Sequence, residues 1–121
     1  MPHLSREAKR LIIGAAPKDS IRLPCGILEL YSSSVADDLL KAGLLNIVVR
    51  EASGQIKSCE IKDFLNSAVR VEGQENLKTP NASCITSVWL DGGTVYAQHW
   101  EGFVSRFDAA TMRFEGQKFT K

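Results

Sequence analysis

Two histidines and three cysteines are the residues of this 121-residue chain best suited to proton transfer, metal ligation or nucleophilic attack. A zinc site needs three or four His, Cys or carboxylate ligands at close spacing. His3 stands near the N-terminus, and His99 has no second His or Cys at ligand spacing. No metal site is therefore expected, and no cofactor. His99 reads first as a structural side chain, next as a polar group in a binding site, and last as an acid–base catalyst. Cys25, Cys59 and Cys84 are far apart, form no CxxC pair and have no clear His or cationic neighbour in sequence to stabilise a thiolate. They read as buried thiols of a reducing compartment, which predicts a cytoplasmic protein. Asp37 and Asp38 read as residues at a helix start, where negative charge suits the helix dipole. No nucleophile elbow, phosphate-binding loop, dinucleotide fingerprint or HExxH motif is present, which weighs against an enzyme.

One group of residues could form a site: the aromatic residues of the last forty positions. Cys84–Leu90, Thr94–Trp100, Phe103–Phe107 and Thr111–Phe119 are four strand-like runs. Asp91-Gly92-Gly93, Glu101-Gly102 and Asp108-Ala109-Ala110 separate them, and such short breaks suit tight hairpins. The reading is an antiparallel β-meander over about residues 84–119. Two-residue loops at Gly92-Gly93, Glu101-Gly102 and Ala109-Ala110 would set Trp89 opposite Tyr96, Ile85 opposite Trp100, Trp100 opposite Phe103 and Phe107 opposite Met112.

With that register one face holds Ile85, Trp89, Tyr96, Trp100, Phe103, Phe107, Met112 and Phe114, crossed by a polar row of Ser87, Gln98 and Ser105. The other holds Thr86, Val88, Leu90, Val95, Ala97, His99, Val104, Arg106, Arg113 and Glu115. Both faces are partly apolar, so an uncovered aliphatic face would expose Val88, Leu90, Val95 and Val104. Burial of that patch in a twofold homodimer is the simplest solution. The aromatic face reads mainly as core, with a pocket as the alternative. The candidate ligand- or partner-binding residues are Trp89, Tyr96, Gln98, His99, Trp100 and Arg106.

The rest of the chain must support that sheet. Ser5 to Ala16 has helical apolar spacing and ends at Pro17. Asp19 to Tyr31 reads as two short strands or one bent edge strand around Pro24. Ser34 is the expected cap of a second helix carrying Val35, Ala36, Leu39 and Leu40, closed by Gly43. Leu45–Glu51 is a β-branched strand, Ser53-Gly54 a turn and Gln55–Glu60 a returning strand. Residues 61–69 fit either a short third helix or a strand, and Glu72–Ser83 reads as the longest loop. The fold class is thus α+β, a single domain over residues 1–121 with two or three short helices packed on an antiparallel sheet.

Composition agrees with an ordinary globular domain, at 44% hydrophobic and 24% charged residues. A net charge of +1 supplies no long-range field for nucleic acid or anionic lipid. No segment has the length of a membrane span, and residues 1–16 lack a signal-like apolar run.

The first functional expectation is a non-enzymatic binding or interaction protein, homodimeric through its sheet. The alternative is a small-molecule binding protein or enzyme using the aromatic face for a small apolar or aromatic ligand. A second alternative comes from the order helix, short strand, helix at Ser34 to Ala42, then Gly43-Leu44-Leu45 into a hairpin, roughly the first half of the chain. That arrangement loosely resembles a winged helix, which would imply DNA binding. Its helix offers Asp37 and Asp38 against Lys41 alone, and phosphate repels such a surface.

Overall fold

The computed structural model describes residue 12 and residues 16–60, 71–72 and 81–120. Two sheets and one helix make up this part. Strands β1 (Asp19–Leu23), β2 (Gly26–Leu30), β3 (Leu44–Arg50) and β4 (Ile56–Glu60) form an antiparallel sheet in the order β1-β2-β3-β4. Helix α1 (Ser33–Lys41) is inserted between β2 and β3. Strands β5 (Val71–Glu72), β6 (Ile85–Asp91), β7 (Thr94–His99), β8 (Phe103–Asp108) and β9 (Phe114–Phe119) form the second sheet in the order β5-β9-β8-β7-β6. The last four are the expected meander, and the short β5 pairs parallel to β9.

The class is α+β, but the helical layer is smaller than expected. Among the described residues there is one helix rather than two or three. The helix expected over residues 5–16 lies outside the described residues except for Ile12 and Ala16, and residues 61–69 lie outside them altogether. Helix α1 also begins earlier than its sequence suggests. Ser32 occupies the N-cap position instead of Ser34, and its side chain makes no capping bond. Asp37 and Asp38 therefore lie mid-helix and do not serve its N-terminal dipole. Gly43 follows the helix at φ +82, the left-handed conformation that suits a C′ glycine.

Strand β3 explains how the layers stack. Its first six residues, from Leu44 to Val49, are all buried, as happens when a strand is covered on both faces. Leu45, Ile47 and Val49 join Leu28, Leu30, Val88, Val95, Ala97 and Phe107 in the core between the two sheets. Each such aliphatic side chain contributes about 1.5–3 kcal/mol by leaving water. Leu44 and Val48 face the other way, into a second cluster with Ile12, Tyr31, Leu39 and Ile56. The β1–β2 hairpin is drawn close under β3 at Gly26. A Cβ there would lie 2.5 Å from the Arg50 carbonyl oxygen, so only glycine fits.

Asn46 sits inside this apolar strand at 1% exposure. Its Nδ2 donates to the carbonyls of Tyr31 (2.9 Å) and Ile85 (2.7 Å), and its Oδ1 accepts the Ile85 N–H at 2.9 Å. The amide thus pairs with the first residue of β6 much as another strand would, and ties one sheet to the other.

The meander has the expected order but a different register. Trp89 faces Tyr96 and Ser87 faces Gln98, as the Gly92-Gly93 turn requires. At the next turn the loop is Trp100-Glu101-Gly102, three residues instead of two. Gly102 takes φ +100 and donates its N–H to the His99 carbonyl. One extra residue reverses the facing of the following strand. Tyr96 consequently faces Arg106, and Val95 faces Phe107. The third loop is longer as well. Asp108 carboxylate oxygens accept the Ala110 N–H and the Thr111 hydroxyl, and Met112 adopts φ +59. Phe107 then faces Phe114 rather than Met112.

These shifts correct the expected faces. Phe103, Ser105 and Phe107 share the side of Val95, Ala97 and His99, and this side packs on the first sheet. The aliphatic face is therefore core and not a twofold interface: Val88 and Val95 are buried in it. Val104 and Arg106 move to the opposite side with Trp89, Tyr96 and Gln98. A bulge before Ser87 sets Ile85 opposite His99, so Trp100 does not pair with Ile85.

Candidate functional site

The outer face of the second sheet is built on the β6–β7 hairpin. Gly92, at φ +61, permits the two-residue turn, and from it the alternation places Trp89 and Tyr96 side by side. Their rings are parallel within 9° with centroids 5.5 Å apart, an offset stack. Trp89 remains 41% exposed, a large apolar ring left to solvent on strand β6 at the sheet edge. Across from Tyr96, Arg106 lies over the β9 backbone, where a Cβ at Gly116 would collide with its guanidinium. Gln98 is next on this face of β7, and its amide donates to the His99 carbonyl at 3.0 Å and, across the mouth of the β7–β8 hairpin, to the Phe103 carbonyl at 3.4 Å. Trp89, Tyr96, Gln98 and Arg106 are thus brought together on one face. Trp100 is apart from them, 64% exposed in the β7–β8 loop. Gly116 joins this face without having been singled out from the sequence, and Val104 joins it from the aliphatic face where the sequence reading sets it, because both placements required the correct β8 facing.

His99 is on the inner side and fully buried. Its Nδ1 lies 2.6 Å from the Ser83 carbonyl oxygen and its Nε2 lies 2.7 Å from the Ser105 hydroxyl. A carbonyl only accepts, so Nδ1 carries the proton and Nε2 accepts from Ser105. Gln117 in turn donates to the Ser105 hydroxyl (3.0 Å) and to the Asn81 carbonyl (2.8 Å), while its own oxygen accepts the Asn81 N–H. A serine hydroxyl on an imidazole is the arrangement of a nucleophile and its base. Here both groups are sealed from solvent, the serine oxygen also accepts from Gln117, and a carbonyl stands where a carboxylate would orient the base. The network pins the 81–84 segment to β7, β8 and β9.

Burial lowers the pKa of His99 below its ordinary value of 6.5, against the smaller opposing effects of the Ser83 hydrogen bond and Glu101. The unfolded chain therefore binds a proton that the folded chain refuses. Stability should be unaffected by this group above pH 6.5 and fall as the pH drops below it, by up to about 1.4 kcal/mol per pH unit. Urea unfolding at pH 7.5 and 5.5 checks this, and His99→Gln should flatten the dependence.

On the helix side of the first sheet, Glu29 Oε1 accepts from both the Tyr31 hydroxyl and the Arg50 guanidinium at 3.1 Å. Burial, with the Glu29 charge and hydrogen bond, pushes the Tyr31 pKa up to about 12. Burial likewise pushes up the Cys25 and Cys84 thiols, making them poor nucleophiles at neutral pH. Among the described residues no three His, Cys, Asp or Glu side chains converge on a metal position. No described helix is long and apolar enough to cross a membrane.

No protein-family model, curated protein or solved structure matches the chain. The geometry of its own residues is what carries a functional reading.

Proposed function

We propose that this chain is a non-enzymatic binding and interaction protein that works as a homodimer through its five-stranded sheet. The observation that carries the reading is Trp89, 41% exposed beside Tyr96 on a sheet whose opposite face is used up in the core. Exposed tryptophan and tyrosine are the side chains most enriched where proteins meet partners. The Ser105–His99 pair is sealed from solvent, so it offers no accessible nucleophile and base. Light scattering over a concentration series should give twice the chain mass. A single-chain mass at every concentration would remove the homodimer.

A second reading is favoured by the parallel ring pair itself, which offers a flat apolar surface for a small aromatic or apolar ligand, with Arg106 and Gln98 for polarity. DNA binding is less favoured. The exposed positions of α1 include Asp37 and Asp38 against Lys41, a surface that repels phosphate.

A further inference from the structure

We infer that the partner is a second copy docked on the free edge of β6, antiparallel, with Trp89 at the twofold axis; this rests on the homodimer proposed above. The hairpin geometry dictates which backbone groups are available. Asp91 and Thr94 close a two-residue turn, so they form a hydrogen-bonded pair, and the pattern alternates from there. Trp89 with Tyr96 and Ser87 with Gln98 use their backbone groups inward. The N–H and C=O groups of Leu90, Val88 and Thr86 consequently point away from β7. Among the described residues β6 has no strand on that side. The Lys18 ammonium donates to the Thr86 carbonyl at 2.9 Å and guards that end. A lysine on an edge is a common guard against pairing, and it leaves the Val88–Leu90 end unguarded. At that end Leu90 and Trp89 are each 41% exposed, while the Val88 side chain is held in the core.

The remaining stencil is self-complementary in one register. With Val88 opposite the partner subunit's Leu90, and Leu90 opposite the partner subunit's Val88, four backbone hydrogen bonds form and Lys18 is not displaced. Shifting by two residues either way centres the pairing on Val88 or Leu90. The first shift calls on the guarded Thr86 carbonyl, and the second sets Val88 against the turn residue Gly92. The favoured register puts the two Trp89 side chains across from each other in a non-hydrogen-bonded pair, where side chains approach most closely. It also sets Ser87 opposite the partner subunit's Asp91 on the same outer face, a hydroxyl facing a carboxylate, twice over. The stacked Trp89–Tyr96 rings of the two copies then form one aromatic row across a continuous sheet.

The test uses two variants of the full chain. Trp89→Lys places like charges across the axis from an exposed position. It should fold with the wild-type circular dichroism spectrum and weaken dimerisation at least about tenfold. With Cys25, Cys59 and Cys84 replaced by alanine, Trp89→Cys should form an intermolecular disulfide on mild oxidation. A wild-type dimer that survives Trp89→Lys, or a folded Trp89→Cys dimer that does not cross-link, overturns the β6 pairing while leaving the homodimer standing. A monomeric wild type overturns both.

Discussion

Val95→Glu is expected to leave the chain largely unfolded at neutral pH. Val95 has no exposed surface and lies between the sheets among Val49, Val88 and Phe107. Replacing it removes about 2 kcal/mol of apolar burial. A carboxylate there has no hydrogen-bond donor in its apolar surroundings, so it must either ionise without a partner or take up a proton and still leave polar atoms unsatisfied. The combined cost is about 5 kcal/mol or more, comparable with the whole stability of a small domain. Circular dichroism and urea unfolding read the result directly. A folded Val95→Glu protein with unchanged stability would mean that this side of the sheet is not covered. Trp89→Lys, on the neighbouring strand next to Leu90, the residue opposite Val95, but on the other face of the sheet, should be tolerated. The contrast between the two variants tests the facing of the whole hairpin.

Asn46→Ala should lower stability by about 3–4 kcal/mol. The substitution removes both bonds to Ile85 and the bond to the Tyr31 carbonyl. It strands the buried Ile85 N–H and the Tyr31 carbonyl and leaves the Ile85 carbonyl only the weak Cys84 thiol donor at 3.6 Å. Each unsatisfied buried group costs about 1–3 kcal/mol, with part recovered by relaxation and entering water. Asn46→Asp should fare no better at neutral pH. It keeps an acceptor for the Ile85 N–H but points a negative charge at two carbonyl oxygens. Denaturant unfolding of the two variants checks this. A loss below about 1 kcal/mol for Asn46→Ala would mean the inter-sheet tie adds little to packing.

The strand order of the second sheet was legible in the sequence because Gly92-Gly93 and the later breaks mark the turns. The Trp89–Tyr96 pair was legible for the same reason: it lies two positions from a turn whose length glycine fixes. The facing of Phe103 and Phe107 was not. It depended on whether Trp100 belongs to β7 or to the loop, and on Asp108 organising a longer turn through its carboxylate. Neither choice is visible in apolar alternation, and a one-residue change inverts the result. The helix start was misplaced for a related reason. Ser32, Ser33 and Ser34 are equally good caps by composition, and no side-chain capping bond marks the true one. Asn46 did carry a signal, a single amide within a run of buried aliphatic residues. Identifying its partner requires knowing that β6 begins alongside it.

The tie between Asn46 and Ile85 spans 39 residues of chain. Most pairing within each sheet, by contrast, joins strands adjacent in sequence through short turns or through α1. Local hairpins close quickly, whereas contacts across long stretches of chain wait on loop-closure entropy. The two sheets are therefore expected to form as separate early units, with the capture of the Ile85 amide by Asn46 as the later step that commits them to one another. Hydrogen exchange at the Ile85 N–H would report that commitment, because the proton is released only when the sheets part.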